Sequence, residues 1–227
     1  MKPTKEYNGR SRIRMFNMDC ESYMNTCKEN RYDLAIVDVQ YGIKQDGRNN
    51  HTRSCLAVSK DYRSNSRYDN NSPGKEYFDS LISISSNQIV WGANHFISKL
   101  PYDSSCWIVW DKDNGKNDFA DCELAWTSFD TAVRKFRYKW HGMLQQNMKN
   151  KQIRIHPNEK PVGVYKWLLT NYAKEGDTIL DTHGGSMSIA IACWDLGFDL
   201  DICELDTDYF NDAVKRFEQH IKQTQLF

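Results

Sequence analysis

The chain has 227 residues, 40% of them hydrophobic, which suits one compact domain with a sizeable core. Its 30 basic residues balance 30 acidic ones, so no overall field draws it to a polyanion, and a nucleic-acid site would need locally concentrated basic side chains. Aromatic residues make up 13%, which favours core packing and also permits base stacking.

The 7 cysteines and the apolar runs exclude several other classes of protein. No Cys-x-x-Cys pair is present, and no cysteine lies near histidines at zinc-ligand spacing, so we expect reduced thiols and no metal site. No apolar run approaches the ~20 residues of a membrane span, and the start of the chain lacks a signal-peptide pattern. We therefore expect a cytoplasmic protein with no membrane partner.

The first part of the chain predicts two strands and a long irregular segment. Residues 12–16 predict a short strand, and a helix-like stretch follows to about Asn30. The run DLAIVDV, Asp33–Val39, is short, apolar and β-branched, and predicts a buried strand. The segment of about 44–75 has almost no apolar periodicity, so we interpret it as a loop that becomes ordered on binding.

Strands and helices alternate in the rest of the chain, which predicts an α/β fold: a doubly wound, mostly parallel sheet in a single domain over 1–227. The middle of the chain predicts a helix over 77–85, strands over 88–91 and 106–110, an ambiguous segment over 123–129 and a further strand over 137–140. The last part predicts a helix from Pro161, a strand over 178–180, a helix over 188–196, a strand over 198–203, and a helix whose stripe is Phe210, Val214, Phe217 and Ile221.

The segment over 178–206 predicts a nucleoside site. Asp181 ends one strand and Glu204 ends the next, with the Gly184–Gly185 turn after the first. Glycines let a ligand approach the backbone, and an acidic side chain at the second strand end can bind two ribose hydroxyls. An ordinary βαβ crossover is the alternative. A dinucleotide dehydrogenase fits less well, because G-x-G-x-x-G is missing and Asp181 would repel a pyrophosphate.

Several motifs together resemble one family. These are IRMFNMDC (13–20), DLAIVDVQYGI (33–43), WGANHF (91–96), WIVWDK (107–112), HPNEKP (156–161) and ILDTHGGSMSIAIA (179–192). In this order they resemble the permuted, or beta-class, DNA amino-methyltransferases of the N6-adenine/N4-cytosine type, over about residues 12–220. The resemblance implies a Rossmann-like fold that binds S-adenosylmethionine.

The resemblance also implies the catalytic residues. In the family an Asp carboxylate and a backbone carbonyl polarise the amine of a flipped base, and an aromatic ring stacks on that base. These roles would fall to Asp38, the carbonyl of Val39 and the ring of Tyr41. An Asp at position 38 favours adenine N6, with cytosine N4 or an RNA target as alternatives.

Two departures from the family pattern open a different interpretation. Val39 and Gln40 replace two prolines that pre-shape the catalytic loop, and Met187 replaces the second glycine of the cofactor turn. If that glycine served a positive φ, Met187 would be strained. The alternative function is therefore a catalytically silent, nucleic-acid-binding or regulatory subunit with a methyltransferase fold.

By the same resemblance, residues from four segments would hold the cofactor. Glu204 would bind its ribose, and Asp19 its adenine amine. The residues around its methionine part would be Asp181, His183, Gly185 and Ser186, with His156, Asn158 and Lys160 on the carboxylate side.

Two basic groups predict contacts with double-stranded DNA, although solvated loop charge is the plainer interpretation. The first, interleaved with tyrosines, comprises Lys44, Arg48, Arg53, Lys60, Arg63 and Arg67. The second comprises Arg134, Lys135, Arg137, Lys139, Lys149, Lys151 and Arg154. In the family the target-recognition region lies here, and about 134–155 is short for it. We therefore expect a short target, relaxed specificity or help from a second subunit, for example in a homodimer.

Overall fold

The computed structural model of the protein describes residues 1–43, 71–115, 120–141 and 144–224. Its strands are β1 (Lys5–Asn8), β2 (Arg12–Asn17), β3 (Tyr32–Val37), β4 (Ser85–Trp91), β5 (Trp107–Asp111), β6 (Cys122–Thr127), β7 (Arg134–Arg137), β8 (Trp140–His141), β9 (Leu144–Gln145), β10 (Thr178–Asp181) and β11 (Asp199–Glu204). Its α-helices are α1 (Cys20–Met24), α2 (Lys75–Ile84), α3 (Val162–Tyr172), α4 (Ser188–Leu196) and α5 (Thr207–Thr224).

Within the described residues, nine strands form one sheet in the order β1-β2-β11-β10-β3-β4-β6-β5-β7. The central strands from β2 to β4 are parallel. From β10 the chain passes through α4 to β11 on one side, whereas β3 leads through α2 to β4 on the other. The crossovers therefore diverge between β10 and β3, and ligands of open α/β sheets bind at such a switch point, outside the carboxyl ends of the strands.

Helices cover both faces of the sheet. On one face α3, α4 and α5 bury residues that include Leu168, Ile189 and Phe217, and on the other α1 and α2 bury Tyr23 and Phe78. Strands buried on both sides are near-continuous apolar runs, as in β3. The prediction of a doubly wound, mostly parallel α/β sheet is confirmed.

The structure corrects three predicted elements. The helix after β2 ends at Met24 rather than near Asn30. The N–H groups of Thr26 and Cys27 bond carbonyls three residues back instead of four, so the α-helical pattern stops there. Strand β3 ends at Val37, so Asp38 and Val39 follow the strand instead of belonging to it.

The ambiguous segment over 123–129 overlaps strand β6, which pairs antiparallel with both β4 and β5. The strand predicted over 137–140 is wrong, because β7 ends at Arg137 and β8 begins at Trp140, with two residues outside any strand between them. Trp91 and Trp110 lie in the core, with no more than 1% exposure.

Among the residues that the structure describes, no helix has the length and apolarity to cross a membrane. Over the same ranges no group of three His, Cys, Asp or Glu side chains is arranged to hold a metal ion. Most of the predicted loop over about 44–75 lies outside the described residues, and α2 begins at its end, at Lys75.

Candidate functional site

The candidate site begins with two carboxylates at the switch point. Asp181 is the last residue of β10, and Asp38 follows the end of β3 by one residue. The two strands are parallel neighbours with Leu180 opposite Ala35, so their carboxyl ends meet at one edge of the sheet. The acidic end of β11, Glu204, lies at the same edge. The topology therefore brings together the residues that the sequence predicts for catalysis and for cofactor binding.

Asp38 is held by two side chains. The Lys160 ammonium lies 2.5 Å from Asp38 Oδ1, and the Tyr41 hydroxyl donates a hydrogen bond of 2.8 Å to the same oxygen. Lys160 in turn donates to the Tyr41 hydroxyl oxygen at 3.1 Å. The side chains of Lys160 and Asp38 are 4% and 17% exposed, so this is a largely buried ion pair that fixes the carboxylate.

The ion pair is part of a longer chain of alternating charges. Lys160 also lies 3.1 Å from Glu123 Oε2, and Lys112 lies 2.5 Å from Glu123 Oε1. The order is therefore Asp38, Lys160, Glu123, Lys112, with two negative and two positive groups. Sequence reasoning missed Glu123 and Lys112, because strand β6 was ambiguous and Lys112 follows β5 as an ordinary polar strand end.

Burial and neighbouring charges compete at these groups. Burial raises the pKa of Asp38, the nearby Glu123 raises it further, and Lys160 and Tyr41 oppose both. For Glu123 burial again raises the pKa, but Lys160 and Lys112 outweigh it and hold the pKa at about 2. Burial lowers the pKa of Lys160, and its two carboxylate partners more than offset this, so that its pKa is raised. The two carboxylates thus favour the charged form of the lysine between them.

The Tyr41 ring lies beside the start of a tight turn after β4. It stacks on His95 with ring centroids 5.2 Å apart and planes 18° apart. Gly92, which precedes the 3₁₀ turn Ala93–His95, has a φ of 68° and lies under the same ring. Tyr41 and His95 therefore form a paired aromatic surface next to Asp38.

The Gly184–Gly185 turn packs tightly against β11. The Gly184 N–H donates to the Cys203 carbonyl at 2.7 Å, and a β-carbon on Gly184 would lie 3.0 Å from Ile202 Cγ1. Met187 then has a φ of 52°, the left-handed conformation that sequence reasoning had considered for this position. A non-glycine residue is therefore held in a conformation that glycine adopts more easily.

Glu204 is fixed by the backbone on both of its oxygens. The Gly185 N–H donates to Oε2 at 2.7 Å, and the Asp206 N–H donates to Oε1 at 2.8 Å. A carboxylate has about four acceptor positions, so each oxygen can accept a further hydrogen bond. The backbone thus orients the carboxylate and leaves acceptor positions for further hydrogen bonds. A site that binds two hydroxyls requires both properties.

Asp181 is almost fully buried and accepts the His183 N–H at 2.9 Å. Burial raises its pKa to about 8, and the charges of Asp38 and Glu204 contribute to the rise. A cationic group next to Asp181 would stabilise its ionised form.

A further contact that sequence reasoning missed supports the His183 ring. Thr182 Oγ1 lies 2.9 Å from His183 Nδ1 and 2.5 Å from the Tyr77 hydroxyl, and the Tyr77 ring meets the His183 ring edge-on. Burial lowers the pKa of His183 to about 4, so the ring is neutral at pH 7. The motif carried no signal for Tyr77, because α2 lies far from it in sequence.

The remaining predicted cofactor residues have varied surroundings. Asp19 caps α1 through the Ser22 N–H at 2.8 Å, and Asn158 is exposed. The Ser186 side chain is buried 3.1 Å from Ser188 Oγ. The His156 ring meets the Tyr209 ring at 4.5 Å, and burial lowers its pKa to about 4. Lys160, for which the resemblance implies a place on the carboxylate side of the cofactor, contacts Asp38 and Glu123.

The predicted DNA contacts are only partly described. All six residues of the first basic group lie outside the described residues: Lys44, Arg48, Arg53, Lys60, Arg63 and Arg67. In the second group Lys149 and Lys151 are exposed, whereas the Arg154 guanidinium lies over the Trp140 ring at 4.7 Å. Lys135 and Arg137 each lie 3.2 Å from Asp111, and Lys139 lies 3.0 Å from Asp113. Much of the charge of this group is therefore paired within the protein.

Comparison with protein families gives one match: the DNA methylase family of N6 and N4 methyltransferases matches residues 99–215. No curated protein matches the sequence. The chain is similar in structure to M1.HpyAVI in complex with SAM, at 16% identity and a TM-score of 0.52, over 90% of this chain and 99% of that one.

Two more solved structures are similar. One is the PvuII DNA methyltransferase (cytosine-N4-specific), at 12% identity and a TM-score of 0.56, over 95% of this chain and 88% of that one. The other is a Thermus thermophilus protein described as a putative DNA modification methylase, complexed with S-adenosyl-L-methionine, at 13% identity and a TM-score of 0.54, over 92% of this chain and 94% of that one. At these identities the likeness shows a common fold.

Proposed function

The chain belongs to the DNA methylase family of N6-adenine and N4-cytosine methyltransferases, and we propose that it methylates the exocyclic amine of a base flipped out of double-stranded DNA, with adenine N6 as the favoured acceptor. The observation that carries this proposal is the placement of Asp38 at the switch point, across from Asp181 and near Glu204. An amine acceptor and the predicted cofactor residues thus share one edge of the sheet.

S-adenosylmethionine is the cofactor of the family, and the residues at this edge fit it. The Glu204 carboxylate, oriented by two backbone N–H groups, suits the two ribose hydroxyls. The Gly184–Gly185 turn offers close backbone approach, and Asp181, whose pKa is about 8, suits a cationic neighbour. When bound, the cofactor supplies an electrophilic methyl group on a sulfonium.

Asp38 and the Val39 carbonyl are the proposed acceptors for the two amine hydrogens. The nitrogen lone pair of such an amine is delocalised into the ring, and hydrogen bonds to both hydrogens turn it towards the methyl group. After transfer the nitrogen carries one proton too many, and Asp38 is the group placed to take it. Burial raises the pKa of Asp38 and so favours this role.

Tyr41 is the proposed stacking residue for the flipped base. Its ring already stacks on His95 and therefore presents a fixed aromatic surface beside Asp38. The exposed Lys149 and Lys151, together with the basic residues over 44–67, are the proposed phosphate contacts. A homodimer, which would supply further DNA contacts, stays a prediction.

A silent binding subunit is the second candidate, because Asp38 Oδ1 is already engaged by Lys160 and Tyr41. The Val39–Gln40 sequence also lacks the rigidity of two prolines. A silent subunit would bind cofactor or DNA without turnover.

The experiment that tests the proposal is transfer of labelled methyl from S-adenosylmethionine to unmethylated double-stranded DNA, with mass spectrometry of the product nucleosides. We expect N6-methyladenine from the wild-type protein and none from Asp38→Ala, with cofactor affinity nearly unchanged in calorimetry. A product of N4-methylcytosine would show that the methylated base is cytosine and not adenine. Absence of product on DNA and RNA, despite cofactor binding, would favour the silent subunit.

A further inference from the structure

The catalytic loop lacks the two prolines that shape it in the family, so another feature must hold Asp38 in place. The structure offers Lys160, which reaches Asp38 from the segment before α3, more than 100 residues away in sequence. Its ammonium also lies over the Trp91 ring at 5.2 Å and the Tyr41 ring at 5.7 Å. Lys160 is therefore enclosed by aromatic rings and carboxylates at the point where the loop leaves β3.

We propose that Lys160 is the positioning residue of Asp38, and that Glu123 and Lys112 fix the position of the Lys160 ammonium. The inference rests on the proposed function, since it assigns Asp38 as the amine acceptor. Lys160 and Tyr41 both bind Oδ1, so we assign Oδ2 as the oxygen that accepts the amine hydrogen. The charge chain does for the Val39–Gln40 loop what proline rigidity does elsewhere in the family.

The two carboxylates have opposite effects on the shared lysine and on each other. Lys160 stabilises the Asp38 anion, whereas Glu123 destabilises it by like-charge repulsion. Removal of the lysine would leave two neighbouring, largely buried carboxylates without their shared cation, and removal of the Glu123 charge would leave Lys160 with Asp38 alone. Substitutions at the two positions should therefore shift the protonation of Asp38 in opposite directions. A purely structural contribution to folding predicts no such opposition.

The test compares Lys160→Met and Glu123→Gln with wild type by carbon-13 NMR titration of the Asp38 carboxyl. We expect its midpoint to move to higher pH in Lys160→Met and to lower pH in Glu123→Gln. Lys160→Arg should bring the midpoint back towards wild type, because arginine retains the charge. Lys166→Met is the matched control, since Lys166 lies on α3 and pairs with Asp195 at 2.6 Å, away from Asp38. It should leave the midpoint unchanged.

Kinetics supply the second readout. Lys160→Met should lower kcat by about 10²-fold, the usual cost of a displaced catalytic group, while the cofactor Kd stays within about threefold. The inference is overturned if Lys160→Met weakens cofactor binding at least tenfold and leaves the Asp38 midpoint in place, which would make Lys160 a cofactor ligand. If Lys160→Met does not fold, an unmoved or raised midpoint in Glu123→Gln overturns it equally. Absence of methyl transfer by wild type would contradict the proposed function alone, because the titration needs no turnover.

Discussion

Tyr41 lies so close to Gly92 that a β-carbon built on the glycine would overlap the Tyr41 ring. Gly92 also has a φ of 68°, which side-chain-bearing residues rarely adopt. Two independent restrictions therefore keep this position a glycine. The contact with Gly92 fixes the position of the Tyr41 ring relative to the turn after β4. Because the Tyr41 hydroxyl donates a hydrogen bond to Asp38, this contact also fixes the position of Asp38.

Gly92→Ala should displace the Tyr41 ring and disturb its hydrogen bond to Asp38. We expect kcat for methyl transfer to fall by about 10²-fold, measured with labelled S-adenosylmethionine. Gly115→Ala is the matched control, because Gly115 has a φ of 69° but, among the described residues beyond its chain neighbours, no atom lies within 4 Å of the added β-carbon. It should cost only ~1 kcal/mol of stability from the left-handed conformation. An equal loss of kcat in both variants would trace the effect to backbone strain instead of Tyr41.

Glu204→Gln should weaken cofactor binding. Both carboxylate oxygens of Glu204 accept backbone N–H groups, from Gly185 and Asp206, and an amide nitrogen in either place would face a donor. We expect the Kd for S-adenosylmethionine to rise roughly 10- to 100-fold in calorimetry, as one or two hydrogen bonds to a charged group are lost. Glu218→Gln is the control, because Glu218 accepts the Tyr7 hydroxyl of β1 and makes no such contact with Gly185 or Asp206 in the described residues. Equal affinity in wild type and Glu204→Gln would remove Glu204 from the cofactor site.

The sequence predicts those parts of the fold and site that depend on the local pattern of apolar residues. The stripe of Phe210, Val214 and Phe217 predicted α5, and all three are buried. Asp181 and Glu204 were predicted as strand ends because an apolar run stops at each, and the structure confirms both ends. Local signals failed at the α1 boundary, because the helix ends at Met24 although the sequence pattern looks helical to about Asn30.

The charge chain around Asp38 was not predictable, because its members come from four separate segments. Lys160 stands in a motif that suggested a cofactor contact, and only the packing of that segment against β3 and β6 gives it carboxylate partners. Glu123 lies in an antiparallel strand inserted between β4 and β5, an arrangement that periodicity alone does not fix. Tyr77 likewise joins the site only through the sheet topology.

Asp181→Asn should stabilise the ligand-free protein in mildly alkaline solution. Burial raises the Asp181 pKa from 3.8 to about 8, so between these values the folded protein holds a proton that the unfolded chain releases. The Asp181 contribution to stability is therefore lost as pH rises through this window. Asparagine keeps the acceptor for the His183 N–H and does not titrate.

We expect the free energy of unfolding of Asp181→Asn at pH 8 to exceed that of wild type by on the order of 3 kcal/mol, with the difference shrinking towards pH 4. Urea unfolding at several pH values measures this. The same variant should bind S-adenosylmethionine more weakly, because a neutral amide replaces a carboxylate that a cation would ionise. A pH-independent difference from wild type would contradict the raised pKa.

Met187 combines a strained backbone with a fully buried side chain. Loss of a buried methionine side chain costs about 2–5 kcal/mol, whereas release of left-handed strain returns only about 1–2 kcal/mol, so packing dominates. Met187→Gly and Met187→Ala should both be less stable than wild type. The glycine variant should be the more stable of the two by ~1 kcal/mol, since alanine keeps the strain. The reverse order in thermal unfolding would show that the turn relaxes when the side chain is removed.

Arg216 joins α5 to the segment that carries Lys160 and to the residues that follow the Gly184–Gly185 turn. Arg216 lies 3.3 Å from Glu159, whose side chain has 0% exposure, and donates at 2.9 Å to both the Ser186 carbonyl and Ser188 Oγ. Because removal of either partner leaves a buried charge uncompensated, Arg216→Met and Glu159→Gln should each lower the free energy of unfolding by about 3 kcal/mol.

The double variant, Arg216→Met with Glu159→Gln, should lose about 1–3 kcal/mol less than the sum of the two single losses, because no charge is then stranded. Cofactor affinity separates the ion pair with Glu159 from the hydrogen bond to the Ser186 carbonyl. The affinity should fall in Arg216→Met and in the double variant, because the Ser186 carbonyl loses its donor in both. It should stay unchanged in Glu159→Gln. Strictly additive losses of stability would mean that the two side chains act independently. Unchanged cofactor affinity in Arg216→Met would mean that the turn keeps its shape without the arginine.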